Sequence, residues 1–261
     1  MWALLQEGVM SFPAAGDRRM DWLSAQFRAL GRKDLPEQVA VDGQRFRLRK
    51  QFKHTFAAAV GLYERGDELV VCKFHRRATF FGIPLHGIGR LMSIYEAGVM
   101  RRCRDLPGVP RLRSVGHRTA MGHDFVPGHP LERDTKVDDD FFPRFMELLR
   151  RMHERGVAYV DLEKPGNILL GDDGRPWLID FQVAFYVPQR LFGETTLVRW
   201  LRGVLQRADT YHAMKHYRRV RPDLLGREGV SNTRSKPLSV RLGNALVAPY
   251  KLLSRRVMGR D

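Results

Sequence analysis

Two carboxylates and one amide in a single stretch of the sequence have the side-chain types that could hold a metal ion against phosphates. Asn167 follows Asp161 by six positions, and Asp180 comes after a further apolar stretch. Carboxylate and amide oxygens are ligands that Mg²⁺ accepts, and protein-bound Mg²⁺ is usually shared with substrate phosphates. These residues therefore indicate a magnesium site that is shared with phosphates.

A β-hairpin is the element that would bring these three side chains together. Apolar runs at residues 168–170 and 176–179 flank a turn rich in Gly and Asp at 171–174, and this pattern predicts two paired strands. Asn167 precedes the first strand and Asp180 follows the second, so a hairpin places them side by side, with Asp161 at the same rim. The alternative is a polar hairpin of any α/β domain, with its acids solvated.

The composition predicts a globular protein of one large or two small domains. The 261 residues are 43% hydrophobic and 28% charged, which is typical of soluble folds. Cys72 and Cys103 form neither a disulfide framework nor a metal pattern, which favours a reducing compartment. The N-terminus lacks a basic region typical of signal peptides, and no apolar run has transmembrane length. We therefore expect a cytoplasmic protein.

The net charge of +16 is unevenly distributed along the chain. From residue 181 onward there are 16 Lys and Arg against 5 Asp and Glu. Such a surface attracts phosphorylated glycans, anionic lipids or nucleic acid. Nucleic acid is the less favoured partner. In residues 231–261 apolar and basic residues alternate, which is compatible with a helix lying on the inner membrane face and equally with a last helix packed on the body.

Upstream, Lys73 ends an apolar strand, where a lysine is costly unless it is paired. The expected partner is Glu96, on a helix that follows; Glu96 could also be a solvated helix acid. Residues 45–74 predict paired strands, although a glycine-rich phosphate loop is missing. The basic loop after Lys73 contains Arg76 and Arg77, for which phosphate contact and solvent exposure are equally favoured.

The remaining elements are read from hydrophobic periodicity. A strand ends near Phe125 and Val126, before a Pro-Gly pair. Apolar spacing predicts helices at residues 17–30 and 138–152, the second opened by three acids that suit the helix dipole and are interpreted as capping the helix. Two further helical stretches are predicted at 197–205 and 209–219. His153 lies at a helix end and is interpreted as structural.

Five residues in this order resemble the protein-kinase-like superfamily: Lys73, Glu96, Asp161, Asn167 and Asp180. The resemblance covers residues 52–181 and is strongest to the atypical bacterial branch that includes RIO-type kinases and lipopolysaccharide-core sugar kinases. It implies an α+β, two-lobed fold with an antiparallel sheet in the small lobe, a mainly helical large lobe, and ATP between them. The implied divisions are an N-terminal extension (1–40), small lobe (41–126), large lobe (127–230) and basic tail (231–261).

The resemblance also implies a role for each site residue, with ATP and Mg²⁺ as cofactors. Lys73, held by Glu96, contacts the nucleotide phosphates. Backbone groups near Phe125 and Val126 contact adenine. The catalytic residues are Asp161 and Lys164, and the metal ligands are Asn167 and Asp180.

The sequence departs from the family pattern in ways that bear on the acceptor. Tyr159-Val160 replaces the usual His-Arg, and the gap between Asp161 and Asn167 is one residue longer than usual. Gln182 replaces the glycine after Asp180-Phe181, which favours a fixed metal loop over a mobile one. The Ala-Pro-Glu motif of the peptide platform is not found. These departures favour a glycan or lipid-sugar acceptor, or a protein acceptor of the RIO type.

Three functions are compatible with the residues. The first is transfer of the ATP γ-phosphate to a hydroxyl of a lipopolysaccharide-core-type glycan or lipid sugar. The second is a RIO-like serine/threonine protein kinase. The third is a pseudokinase or basic nucleic-acid-binding module, which is disfavoured because all five motif positions are filled.

Overall fold

The computed structural model describes residues 18–188 and 195–224. In this part of the chain, residues 18–94 and 113–125 form one compact unit. Residues 95–112, 126–188 and 195–224 form a second. The α+β class and the antiparallel sheet predicted for the first half of the chain are confirmed. The finer predicted domain boundaries stay a prediction.

A six-stranded antiparallel sheet makes up most of the first unit. Its strands are β1 (Gln38–Val41), β2 (Gln44–His54), β3 (Ala58–Arg65), β4 (Glu68–His75), β5 (Leu112–Arg113) and β6 (Ala120–Asp124). They are ordered β1-β2-β3-β4-β6-β5. Helix α1 (Arg18–Gln26) precedes the sheet, and helix α2 (His86–Arg102) follows β4 and contributes to both units.

Burial within this sheet follows the apolar pattern of each strand. In β2, Phe46 is buried while Arg45 and Arg47 are exposed, as expected for a strand with one wet face. The last six residues of β4 are all buried, so that strand is covered on both faces. Cys72 on β4 and Cys103 in the second unit are buried free thiols. Burial raises the pKa of each to about 12, which fits structural rather than reactive cysteines.

The turn between β2 and β3 packs on a buried arginine. Arg76 is 3% exposed, and its guanidinium lies 3.9 Å from the ring centroid of Phe56 in that turn. It also donates hydrogen bonds to the backbone carbonyls of Gln26, Arg28, Phe56 and Thr79. Burial lowers the pKa of Arg76 to about 10, so it remains charged at neutral pH. Neither interpretation of Arg76 made from the sequence is correct: it is a structural cation.

The second unit combines two helices with a small antiparallel sheet. Its elements are α3 (Phe141–Glu154), α4 (Thr196–Val220), β7 (Gly128–Pro130), β8 (Ile168–Gly171) and β9 (Pro176–Leu178). The three strands are ordered β7-β8-β9. The last part of α2 also belongs to this unit.

Helix α3 buries the apolar face that its periodicity predicts. The buried set spans both its ends, from Phe141 to Met152, and includes the fully enclosed Phe145. Burial of one such side chain is worth about 1.5–3 kcal/mol, so this face fixes α3 in the unit. The set is Phe141, Phe142, Phe145, Leu148, Leu149 and Met152.

Two helix predictions are corrected by the structure. The acid before α3, Asp140, does not cap it with its side chain but pairs with Arg144 at 3.2 Å. The two helical stretches predicted after Phe181 are one continuous helix, α4. Its buried face continues through Asp209, which interrupts the apolar pattern.

The predictions about the membrane are only partly addressed by the described residues. The surface-lying helix predicted at 231–261 falls outside them, so membrane contact through that segment stays a prediction. None of the described helices is long and apolar enough to cross a bilayer.

We expect Arg76→Met to lower the free energy of unfolding by about 2–4 kcal/mol. The change leaves several buried carbonyls without their charged donor, and such losses are expensive. Urea unfolding followed by circular dichroism measures the effect. Arg77→Met is the matched control, because Arg77 is exposed and its contact is with His117 at the surface. Equal losses in the two variants would contradict a structural role for Arg76.

Candidate active site

The structure brings three of the predicted site residues into direct contact in the second unit. The side-chain nitrogen of Asn167 donates to Oδ2 of Asp161 at 3.1 Å and to the Asp161 carbonyl at 3.2 Å. The ammonium of Lys164 lies 3.1 Å from the same Oδ2. Asp161 and Asn167 are buried, whereas the Lys164 side chain is 62% exposed. Oδ2 of Asp161 is therefore contacted both by the amide of Asn167 and by the ammonium of the exposed Lys164 side chain.

The predicted hairpin positions Asn167 and Asp180 as expected. Strands β8 and β9 are antiparallel, with Ile168 opposite Leu178. Just beyond that pair, the backbone N–H of Ile179 donates to the carbonyl of Asn167 at 3.1 Å. Asp180 follows directly, with a φ of +63°. The two predicted metal ligands therefore lie at the same end of the hairpin.

The segment before Asp161 has a strained backbone. Val160 has a φ of +73°, and the N–H of Asp161 donates to the carbonyl of Tyr159 at 3.0 Å. This combination is the pattern of the rare γ-turn with positive φ. For a β-branched residue such a backbone is an outlier, and it costs on the order of 1–3 kcal/mol. Contacts with the surrounding structure must offset this conformational cost.

Asp209 on α4 provides that compensation. Its carboxylate accepts hydrogen bonds from the backbone N–H groups of Tyr159 and Val160, each at 2.7 Å. His153 approaches the same carboxylate at 3.2 Å, which supports the structural interpretation of that histidine. Asp209 is 1% exposed, and hydrogen bonds to a buried charge are among the stronger ones in proteins. The carboxylate thus fixes the two residues that precede Asp161.

Sequence reasoning missed this support, although a signal for it was present. Asp209, His212 and His216 recur with the spacing of one helical face, and all three are buried. His216 contacts the carbonyl of Leu162 at 2.7 Å through Nε2, and burial lowers the pKa of its imidazole. A polar face on a helix usually indicates solvent. Here it binds the backbone on both sides of Asp161.

Tyr159 joins the segment before Asp161 to the segment around Asp180. Its hydroxyl donates to the carbonyl of Ile179, and its ring packs edge-on against Phe181 with centroids 5.4 Å apart. Burial raises the pKa of Tyr159 well above its usual value, and the negative charges of Asp180, Asp161, Asp209 and Glu96 add to that effect. The hydroxyl therefore stays protonated and remains a donor.

The segment after Asp180 is held at two further points. Phe185 and Ala158 exchange backbone hydrogen bonds of 2.7 and 2.9 Å. The hydroxyl of Tyr95 donates to the carbonyl of Ala184 at 2.8 Å and accepts from the N–H of Tyr186 at 3.0 Å. Both contacts act within a few residues of Phe181, and the fixed loop that Gln182 suggested stays a prediction.

The donor set at the hairpin end is suitable for Mg²⁺. Because Nδ2 of Asn167 is directed at Asp161, its amide oxygen is the atom left to bind a cation. Asp180 adds a carboxylate. Hard oxygen donors supplemented by phosphate are the normal surroundings of Mg²⁺. Among the described residues there is no group of three or more His, Cys, Asp or Glu placed to hold a metal.

The other predicted site residues are distributed over both units. Lys73 is buried on β4, opposite Val60 on β3, and belongs to the first unit. Glu96 is buried on α2 and belongs to the second. Their predicted ion pair stays a prediction. The N–H of Phe125 donates to Leu69 at 3.1 Å, so an adenine contact would fall to the Phe125 carbonyl or to Val126.

Comparison with known proteins gives structural similarity only. No family model matches the sequence, and no curated protein matches it. Similar solved structures include a Rio2 kinase–ADP/Mg²⁺–phosphoaspartate complex from Chaetomium thermophilum, with 18% identity, a TM-score of 0.47, and coverage of 87% of this chain and 70% of that chain. Another Rio2 kinase structure from the same organism has 16% identity, a TM-score of 0.47, and coverage of 74% and 64%. Similarity at this level assigns neither a family nor an activity.

We expect Asp209→Asn to loosen the backbone before Asp161. The amide keeps one acceptor oxygen but turns a donor toward an N–H group, so one of the two backbone bonds is lost. Hydrogen exchange at Tyr159 and Val160 should become about tenfold to a hundredfold faster, as expected for easier local opening. Mass spectrometry of the peptide spanning residues 157–162 measures it.

Thr210→Ala is the control for this variant. Thr210 is the exposed neighbour on the same helix, and its hydroxyl bonds only within α4, to the carbonyl of Gln206. The hydrogen-exchange pattern of Thr210→Ala at residues 157–162 should match that of the wild type. Unchanged exchange in Asp209→Asn would show that the carboxylate does not hold this segment.

Proposed function

We propose that the protein is an ATP- and Mg²⁺-dependent phosphotransferase that acts on a hydroxyl group. The observation that carries the proposal is the convergence of Asp161, Lys164 and Asn167 at the end of a hairpin whose other strand leads into Asp180. Phosphoryl transfer requires positioning and charge neutralisation more than covalent chemistry. A held carboxylate, a nearby cation and two oxygen ligands meet that requirement.

Asp161 would act on the acceptor. As the acceptor oxygen attacks the γ-phosphorus and the bond to the ADP oxygen breaks, the hydroxyl proton passes to the Asp161 carboxylate. Asn167 and Lys164 both contact Oδ2, which leaves Oδ1 to meet that proton. Lys164 is exposed enough to move its ammonium from Asp161 to the transferred phosphate.

Asn167 and Asp180 would hold the cation, which when bound neutralises charge on the β- and γ-phosphates. Tyr159 keeps the carbonyl before Asp180 in place through its hydroxyl. The positive φ of Asp180 directs the chain away from the hairpin directly after the ligand. These contacts favour a ligand geometry that does not depend on loop movement.

The nucleotide roles of the remaining residues rest on the sequence order. Lys73 would contact the α- and β-phosphates, and Glu96 would fix its ammonium. Phe125 and Val126 would contact adenine through their backbone. Lys73 is buried in an apolar strand, where a charge is costly unless it is paired. That cost supports the proposed role, in which Lys73 pairs with Glu96 and with phosphate.

The acceptor we favour is a hydroxyl of a phosphorylated glycan or lipid sugar. Helix α4 begins at Thr196, soon after Asp180, which leaves little chain for the peptide platform of typical protein kinases. The excess of basic residues from 181 onward suits a phosphorylated acceptor. A RIO-like protein kinase is the second candidate, because the same catalytic residues would serve it and a short platform is compatible with it.

We expect Asp180→Ala and Lys73→Ala to abolish phosphoryl transfer, and Asp161→Asn to reduce it about a hundredfold or more. Each variant should keep the wild-type circular dichroism spectrum. ATP consumption and labelled product measure the activity. Asp172→Asn is the control, because Asp172 is an exposed acid in the turn of the same hairpin. Normal turnover in Asp180→Ala or Lys73→Ala would exclude the assignment.

An acceptor screen with γ-labelled ATP separates the two candidates. We expect label in a lipopolysaccharide-core glycan or lipid-sugar fraction, lost in Asp161→Asn. Transfer confined to protein, including the enzyme itself, would instead support the RIO-like function. Failure of Mg-ATP to change the melting temperature would favour a pseudokinase.

A further inference from the structure

We propose that the second unit carries a separate binding site for a phosphate-bearing ligand, in an arginine-lined cavity at the C-terminal end of α2. We name this cavity the arginine basin. Its volume is about 640 Å³, within the range of ligand pockets. It is lined mainly by Arg101, Arg102, Arg104 and Arg155, together with Gly98 and Tyr186.

Reciprocal backbone contacts build the basin. Nε of Arg102 donates to the carbonyl of Arg155 at 3.1 Å, and Nη1 of Arg155 donates to the carbonyl of Arg102 at 3.0 Å and to that of Arg104. The end of α2 is thereby joined to the residue that follows α3. Because Nη1 of Arg155 is used in these bonds, Arg155 is a positioning residue. The other three arginines extend from the backbone that it holds.

The acids of the basin do not neutralise it. Asp105 lies 3.7 Å from Arg104, which is a weak pair between exposed groups. Glu154 forms an ion pair with Arg150, which is not a lining residue. In the described part of the chain, neither Arg101 nor Arg102 has a carboxylate partner. The basin therefore presents an excess of positive charge in a concave space.

The dipole of α2 accounts for only part of the clustering of arginines at this helix end. Basic residues in the last turn of a helix complement its dipole, and that role would apply to Arg101 and Arg102. The carbonyls at this helix end, however, already accept hydrogen bonds from Arg155. Arg101 is left with its guanidinium group, and Arg102 with the two terminal nitrogens of its guanidinium group, at the cavity edge. Such planar donors match the oxygens of phosphate in bidentate fashion.

The ligand class follows from the lining. Three exposed arginines favour a dianionic phosphate monoester or a diphosphate over a single carboxylate, and the volume accommodates more than one phosphate group. The bound phosphate group could belong to a soluble phosphorylated compound or to the head group of an anionic phospholipid. None of the lining residues has a role in the proposed phosphotransfer, so this inference does not rest on that function.

Gly98 offers a test that removes no arginine. A Cβ added there meets no atom within 4 Å, and Gly98 lines the basin, so the side chain of Gly98→Gln would occupy the cavity. Gln is a better helix former than Gly, so the variant should be at least as stable as the wild type. Loss of binding then reports occlusion of the basin and not damage to the fold.

The experiment is isothermal titration of the full chain with pyrophosphate in the absence of magnesium and nucleotide. We expect saturable binding that weakens as salt is raised. The affinity should fall about tenfold or more in Gly98→Gln and in Arg101→Gln/Arg102→Gln. Arg144→Gln/Arg151→Gln removes the same charge from exposed sites on α3 and should bind like the wild type. Lys73→Ala should also bind normally, which separates the basin from the proposed nucleotide site.

A second arm uses vesicles of phosphatidylcholine with and without phosphatidic acid, in a sedimentation assay. Pyrophosphate binding that Gly98→Gln abolishes supports the site with a soluble ligand as its source. Retention on phosphatidic acid vesicles alone, again lost in Gly98→Gln, supports it with a lipid head group. Absence of binding in both arms, or equal binding by Gly98→Gln and the wild type, overturns the proposal.

Discussion

The buried carboxylate of Asp209 is the constraint on which the candidate active site depends. Removing a carboxylate from water costs several kcal/mol, and here the cost is offset by two short backbone hydrogen bonds and by His153. Those bonds hold Val160 in a backbone conformation that its side chain disfavours. This strained turn places the Asp161 side chain in contact with Asn167 and Lys164. The geometry of the candidate site is thus a consequence of one charge on α4.

Each unit is organised around one buried charge that binds backbone groups. In the first unit the guanidinium of Arg76 donates to four carbonyls from three separate segments. In the second unit Asp209 accepts two N–H groups from one segment. Both charges bind backbone groups in turns or at the end of a helix, which explains why a charged residue is retained in each interior.

The sequence was sufficient where structure follows from local pattern. The hairpin that carries Asn167 and Asp180 was predicted from its apolar runs and its turn, and the apolar face of α3 from its periodicity. Long-range contacts were not predictable in this way. The spacing of Asp209, His212 and His216 marks one helical face, but nothing local shows which backbone groups the Asp209 carboxylate binds, and α4 was predicted as two helical stretches. Arg76 was predicted either to contact phosphate or to be solvent-exposed, because it lies in a basic loop, whereas aromatic rings and carbonyls enclose it.

Asp209 also bears on when the site can form during synthesis. The carboxylate and the backbone it holds are separated by 49 and 50 positions along the chain, so a ribosome-bound chain that ends before α4 has no means of fixing the turn at Val160. Contacts of such sequence separation form late, because the intervening loop must be closed first. The sheet of the first unit can therefore assemble while the backbone before Asp161 is not yet fixed. That backbone would take its final form late, when α4 leaves the exit tunnel and packs.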